Sequence, residues 1–256
     1  MLGLRNLYRV FHESRSAARK HTTVSVTGDS SEAERLADLL EAQRSAAGAE
    51  ILLAVTAARN GAGVEVHVSG DAVEDAETVV LPAVSEETVL RELAPRLVRA
   101  LDEDYLVSLG RGYPLFRRAV CEEIIRKNAR QNAVIGALPV PGADMPAITA
   151  NQGRMVLAIA AAYGEEISLD RARELVGVLA AGFGLRALYR QILKLVPVGG
   201  WAASGAIGYA GTLVMGRATI LYFERGKEEP KPGEASELRR RVLEEAEDFL
   251  SHVRRR

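Results

Sequence analysis

The chain has 256 residues, a formal net charge of −1 at pH 7 and a single cysteine, Cys121. This length suits one large domain or two ordinary ones, and the balanced charge removes the usual electrostatic case for nucleic-acid binding, which needs a basic face. A lone thiol cannot form an internal disulfide, and the neighbouring Glu122 and Glu123 disfavour the thiolate, so we expect a reduced and unreactive cysteine.

Charged residues are unevenly distributed along the chain. Residues 131–223 contain only seven Lys or Arg and five Asp or Glu, but 13 of the 23 glycines. Glycine costs about 1 kcal/mol in a helix interior, although membrane helices tolerate it better. The composition therefore predicts two parts, a charged N-terminal part and a glycine-rich apolar block.

Residues 1–20 predict an amphipathic segment, because Leu4, Leu7, Tyr8 and Phe11 would share one helical face and arginines would occupy the remainder. The segment has no uninterrupted apolar core and no small-residue cleavage site, so it does not resemble a secretory signal. Two interpretations stay open: a helix that caps the next domain, or a helix that lies on an anionic bilayer. We expect the protein at the cytoplasmic face of the inner membrane or in the cytoplasm.

Residues 21–103 predict an α/β domain with a small sheet whose strands need not all be parallel. Period-two alternation indicates strands at 22–27 and 64–69, and apolar runs indicate further strands at 50–56 and 78–82, the last of them short and buried. Ser31 and Glu34 have the spacing of a capping box at the start of the first helix. Ser85 is placed to cap a second helix, in which Pro95 predicts a kink or a division into two pieces.

The first strand-to-helix turn, Gly28 to Glu34, is where a nucleotide would bind in a domain of this kind. A phosphate-binding loop needs further glycines and a lysine in the pattern G-x-x-x-x-G-K-[ST], whereas this turn has one glycine, no lysine and three acidic residues. We therefore expect neither tight nucleotide binding nor hydrolysis. Weak anion binding at the helix N-terminus remains open.

A helix is predicted over residues 115–135, with a basic face opposite its apolar one. The basic residues are Arg117, Arg118, Arg126, Lys127 and Arg130. They fit either the cytoplasmic flank of a membrane-entering segment or the solvated face of a connecting helix. This helix opens a helical domain that we place at residues 104–225.

Three prolines, Pro139, Pro141 and Pro146, predict a break between two apolar helical arms. Asp144 at this break must be exposed or paired, because an unpaired buried carboxylate is too costly. The candidate partners are Arg154, Arg186, Arg190 and Arg217. No histidine lies in the block, so a structural role for Asp144 is favoured over a catalytic one.

The stretch from Leu195 to Gly216 contains 22 consecutive uncharged residues, about enough to cross a hydrocarbon core as a helix. Small residues recur in it every four positions: Gly200, Ser204, Gly208, Thr212 and Gly216. This spacing predicts a face for close helix packing, against Met155–Tyr163, Leu175–Leu185 or a second copy. Val214 lies roughly 200° around the helix from that face, so added bulk there should be neutral.

Several phrases within residues 115–225 resemble the bacterial YcjF-like family, domain of unknown function 697. They include NAVIGALPVPGADMPAITANQGRMVLAIAAAYG, GFGLRALYRQILKLVPVGGW and SGAIGYAGTLVMGRATILYF. The resemblance implies a membrane-associated helical domain, and because this domain also occurs fused to Era-like GTPase domains, it implies that the α/β part is a degenerate relative of such a domain. It supplies no catalytic residues.

Residues 226–234 predict a charged linker, and residues 235–256 predict an amphipathic helix that docks on the body or on a partner. The whole pattern indicates a non-enzymatic, membrane-associated adaptor or scaffold, with no cofactor, metal or nucleic acid and with a protein partner or second copy left open. Two alternatives remain. One is a nucleotide- or small-ligand-binding sensor, and the other is a soluble helical oligomerisation module.

Overall fold

The structure, a computed structural model, describes residues 22–45, 47–58, 63–137, 144–165, 175, 201–228 and 231–254. Predictions for the N-terminal segment, the prolines before Asp144 and most of residues 166–200 lie outside these ranges. The chain divides into a sheet unit within Arg15–Glu123 and Ala162–Gly164, and a helical unit within Ile124–Ala161 and Glu165–Arg256.

The sheet unit contains four strands in the order β1-β2-β3-β4. They are β1 (Val24–Thr27), β2 (Ile51–Ala57), β3 (Val64–Ser69) and β4 (Glu77–Leu81). β1 and β2 are parallel and joined through helix α1 (Ser31–Leu40), whereas β2, β3 and β4 pair antiparallel. This mixed sheet, followed by a mainly helical region, confirms the predicted fold class.

One face of the sheet forms the core of the unit. Val55, Val66 and Val79 lie opposite one another across three strands and are all buried. The alternate residues point the other way, and on β4 Val80 is 51% exposed. The prediction of a buried last strand is therefore wrong: β4 is an edge strand with only one face covered.

The cap of α1 lies one residue earlier than predicted. Ser30, in an extended conformation, is the N-cap, and its hydroxyl accepts a hydrogen bond from the Ala33 amide at 3.2 Å. Ser31 is already helical, so the capping box predicted for Ser31 and Glu34 is wrong. Ser30 and Ser31 are adjacent and either could serve as an N-cap, so the sequence alone does not distinguish them. The backbone conformation shows which serine is the cap.

The second helical segment divides near Pro95, which confirms the prediction. Ser85 caps α2 (Glu86–Thr88) in a capping box with Thr88, and a π-helical turn (Val89–Leu93) then leads into α3 (Ala94–Ala100). Pro95 is the second residue of α3 and directly follows the π-helical turn, in which the Ala94 N–H donates to the Val89 carbonyl oxygen. Because proline has no N–H, it removes the next helical hydrogen bond, and the irregularity of the helix lies beside it. Helix α4 (Glu103–Gly112) completes the segment.

Long helices make up the remainder of the described chain. They are α5 (Pro114–Ala137), α6 (Asp144–Ala162), α7 (Trp201–Glu224) and α8 (Pro232–Arg254). The boundary between the two units falls within α5. α8 buries Leu238, Val242 and Ala246 and packs on α7, so of the two predicted alternatives the structure shows docking on the body.

Candidate functional site

The helical unit is built around a very close contact between α5 and α7. A Cβ atom placed on Gly208 would lie 2.5 Å from the carbonyl oxygen of Asn132, and one placed on Gly205 would lie 2.9 Å from that of Ala133. Backbone atoms, unlike the end of a flexible side chain, cannot move aside without shifting a helix. Glycine at these positions therefore lets the two helices approach more closely than alanine would.

The same contact extends in both directions along α7. A Cβ on Gly136 would lie 2.7 Å from the Ser204 carbonyl oxygen, so the close approach is reciprocal near the end of α5. Further along, a Cβ on Gly216 would collide with the side chain of Ile125. The helices thus approach through glycines contributed by both partners.

The predicted small-residue face is only partly visible. Gly200 lies outside the described residues, Ser204 is exposed, and Gly208, Thr212 and Gly216 are buried. At Gly208 and Gly216 the neighbouring segment is α5, so the expectation of Met155–Tyr163 at these positions is wrong. The other predicted partner, Leu175–Leu185, lies outside the described residues apart from Leu175.

Val214 needs a second correction. It is 0% exposed, so it does not face open space. Added bulk there should disturb a packed interior, and the predicted neutrality of Val214→Leu is wrong. A helix with apolar residues on every side can be covered by protein on every side. The small-residue face indicates only one of the surfaces that are covered.

A buried amide and hydroxyl network crosses the contact. Asn132 Nδ2 donates to Thr212 Oγ1 at 2.8 Å, and Thr212 Oγ1 donates to the Gly208 carbonyl oxygen at 2.7 Å. Asn151 Nδ2 on α6 donates to Asn132 Oδ1 at 2.9 Å. Asn132 and Thr212 are 0% exposed, so these bonds replace the water that both side chains lose on folding. The network fixes the register of α5, α6 and α7.

Sequence inspection did not single out Asn132 or Asn151. The available signal for Asn132 was the position of its amide on the apolar side of the helix, between the buried Ala129 and Ala133. An amide in that position needs a partner of its own when the helix is packed, because an unsatisfied buried polar group is expensive. Such a residue therefore points to a crossing helix that carries a hydroxyl or amide.

An ion pair and an aromatic pair hold α8 on α7. Arg217 Nη1 donates to Glu245 Oε2 at 2.8 Å, with side chains 18% and 33% exposed. The rings of Tyr209 and Phe249 stack with centroids 4.3 Å apart and an interplanar angle of 9°. Of the arginines proposed as partners for Asp144, Arg217 thus has a described ion pair with Glu245.

The environment of Tyr209 combines burial with charges of both signs. Burial raises the pKa of its phenol, and the negative charge of Glu245 acts in the same direction. Three arginines, Arg130, Arg217 and Arg126, oppose this rise. The phenol therefore stays protonated at neutral pH, which excludes it as a phenolate base.

Of the other predicted polar candidates, only Arg154 has its side chain among the described residues. Asp144 is the first residue of α6, but its side chain lies outside the described residues, as do Arg186 and Arg190. Arg154 is exposed on α6. A paired or catalytic role for Asp144 stays a prediction.

The turn at Gly28 is held by contacts within the sheet unit. Gly28 has φ 130°, and a Cβ there would collide with the Val55 carbonyl oxygen. Arg44 Nη2 donates to the Gly28 carbonyl oxygen at 2.8 Å, and Glu32 Oε2 accepts from the Val84 amide at 2.8 Å. Glu32, one of the acidic residues that weighed against a phosphate site, therefore anchors the chain before α2.

The described residues show neither a metal site nor a membrane-spanning helix. No group of three or more His, Cys, Asp and Glu in these ranges is arranged to hold a metal ion. No helix within them combines the length and the hydropathy needed to cross a bilayer.

Fold and packing together define a two-part protein, in which a mixed-sheet unit precedes a helical unit closed by glycine contacts and an amide network. Residues 114–248, just over half of the chain, match the family described as a domain of unknown function (DUF697). The chain belongs to this family, and the predicted resemblance is confirmed.

One relative is Magnetosome membrane protein 22 of Magnetospirillum gryphiswaldense, which is 28% identical over 119 residues. The match covers 43% of this chain and 60% of the relative, so the chain spans less than two thirds of that protein's length. No solved structure matches the chain.

Proposed function

We propose that the chain is a non-enzymatic adaptor or scaffold that attaches peripherally to a membrane through its helical unit. The observation that carries the proposal is the similarity of the chain to a protein named as a membrane protein. The family itself is described as being of unknown function and supplies no reaction. Membrane attachment is therefore the property to which the relative points.

The environment of α7 supports the peripheral form of attachment. Its apolar residues Ala210, Leu213 and Val214 are buried, Gly208 meets the α5 backbone, and Arg217 pairs with α8. A helix whose apolar surface is already covered by protein gains little by moving into hydrocarbon. This favours a folded helical unit that rests on the membrane over an inserted α7.

Fractionation of native cells tests the proposal. We expect the protein in the membrane fraction and its release by high salt or carbonate without detergent, because surface attachment relies on charge and shallow contacts. A requirement for detergent would contradict the peripheral form. Recovery in the soluble fraction before any salt wash would contradict membrane attachment and favour the oligomerisation module.

Titration calorimetry with GTP and Mg²⁺ tests the sensor alternative. At the first turn, Arg44 already donates to the Gly28 carbonyl oxygen and Glu32 already accepts from the Val84 amide. We therefore expect no micromolar binding of GTP. Ser30→Ala removes only the N-cap hydroxyl of α1. Magnesium-dependent GTP binding that is present in the parent and lost in this variant would favour the sensor function over the adaptor function.

A further inference from the structure

The outward face of α5 carries an exposed cationic and apolar patch in the helical unit. Lys127, Arg130, Gln131 and Val134 have the i, i+3, i+4, i+7 spacing of one helical face. Arg130, Gln131 and Val134 are exposed, and Val134 at 64% is more exposed than any other large apolar side chain of the described residues. We call these four residues the α5 patch.

Helix α6 adds a further cation beside the patch. Asn151 Nδ2 lies 3.3 Å from Gln131 Oε1, and Arg154 follows Asn151 by three residues and is exposed. Residues 124–163 contain four Lys or Arg and one Asp, whereas the whole chain has a net charge of −1. Among the described residues, none forms an ion pair with Lys127, Arg130 or Arg154.

From this geometry we infer that the α5 patch is the surface of the helical unit that docks on anionic lipid headgroups. The inference rests on the proposed function and names its contact surface. Cations near an anionic bilayer each favour binding about fivefold, and an exposed apolar side chain among them enters the headgroup region. The exposed Val134 on the same face as these cations fits a lipid surface better than a nucleic acid, because phosphates gain nothing from an apolar side chain.

Vesicle flotation with the full-length protein tests the patch. We expect flotation with vesicles of equal parts phosphatidylcholine and phosphatidylglycerol, and little with phosphatidylcholine alone. Lys127→Gln combined with Arg130→Gln should lower the partition coefficient about 25-fold, because two cations are lost. The matched control is Arg91→Gln combined with Arg96→Gln in the sheet unit, which removes the same charge and should change partition less than twofold.

A probe at Val134 tests the apolar part of the contact. Val134→Cys labelled with an environment-sensitive dye should show a blue shift with the anionic vesicles and none with phosphatidylcholine alone. The native Cys121 is fully buried, so labelling of the folded protein is directed to the new thiol. Circular dichroism must show that all variants keep the helical content of the parent.

The results separate the patch from the proposed function. Two results would contradict the α5 patch as the lipid-binding surface and leave the proposal of peripheral attachment intact. One is equal partition of the two double variants, and the other is no vesicle binding by a protein that fractionates with native membranes. Binding to duplex DNA that is lost in the Lys127 and Arg130 variant would also overturn the patch as a lipid surface. Soluble recovery from native cells would overturn the proposed function whatever the vesicles show.

Discussion

Gly28 and Gly70 in the sheet unit and Gly205 and Gly208 in the helical unit all lie against a neighbouring backbone, but for different reasons. Gly28 and Gly70 have φ of 130° and 122°, where the chain turns beside β2. Residues with a side chain rarely adopt this conformation, whatever the space around them. Gly205 and Gly208 have ordinary helical backbones, and only the nearness of α5 excludes a side chain.

The difference shows what maintains each unit. A turn glycine is required by the conformation of its own residue, so its replacement strains the chain locally. A packing glycine is required by a second helix, and its replacement forces two helices apart, together with every contact that depends on their spacing. We therefore expect substitutions to destabilise the helical unit most where α5 and α7 meet.

The largest expected effect is at the centre of that meeting. Gly208→Leu should lower the free energy of unfolding of the helical unit by about 3 kcal/mol or more, because the new side chain must enter space held by the Asn132 backbone. Urea unfolding followed by the fluorescence of Trp201, the single tryptophan, measures the helical unit. Gly211→Leu is the control, since a Cβ at Gly211 has no neighbour within 4 Å. Equal losses in both variants would contradict the close contact.

A smaller loss is expected when the polar network is cut. Asn132→Ala removes the donor to Thr212 and the acceptor for Asn151, and should cost about 1 to 3 kcal/mol in the same unfolding measurement. The neighbouring Gln131 is exposed, so Gln131→Ala should cost less than about 0.5 kcal/mol. A neutral Asn132→Ala would show that the network does not hold the helices in register.

The contact between α7 and α8 should contribute less again. A double-mutant cycle with Arg217→Met and Glu245→Gln should give a coupling energy of about 1 kcal/mol. This value is at the upper end of the range for surface ion pairs, because the Arg217–Glu245 pair is only partly exposed. The coupling should fall when the salt concentration is raised. Additive effects of the two substitutions at low salt would show that the ion pair does not secure α8.

The smallest effect on stability is expected on the outer face of α8. Hydrogen bonds from Arg240 and Arg241 lower the pKa of Glu237 from 4.5 to about 2. Because the folded pKa is below the unfolded one, the associated stabilisation is present above pH 4.5 and is lost as the pH falls towards 2. An NMR titration of the Glu237 carboxyl should show the low midpoint in the parent and a midpoint nearer 4.5 in Arg240→Gln combined with Arg241→Gln. The same midpoint in both proteins would rule out these two partners.

The sheet unit was largely predictable because its signals are local. Alternation placed β1, β2 and β3 to within one or two residues, and Ser85 and Pro95 marked a cap and an interruption that the structure contains. The errors were also local. The N-cap moved from Ser31 to Ser30. The exposure of Val80 depends on whether another layer covers that face of the sheet, which no pattern within the strand reveals.

The helical unit was predictable in its helices but not in their partners. Apolar spacing gave α5, whose predicted range of 115–135 lies within the observed helix. The partner of α7 was missed because apolar residues surround that helix, so no single face indicates a direction of packing. Gly136, which lies against Ser204, and Asn132, whose amide donates to Thr212, are on α5. They are far from α7 in sequence, and only the folded chain brings them to it. These long-range pairs determine the candidate site.

The most direct measurement of the central claim compares the same substitution at two positions of one helix. Gly211→Ala should raise the free energy of unfolding of the helical unit by up to about 1 kcal/mol, because alanine favours the helix and meets open space. Gly208→Ala should instead lower it by about 1 to 3 kcal/mol, because the methyl group meets the Asn132 carbonyl oxygen. Opposite signs in urea unfolding followed by Trp201 fluorescence are the predicted result. A stabilising Gly208→Ala, equal to Gly211→Ala, would contradict the backbone contact between α5 and α7.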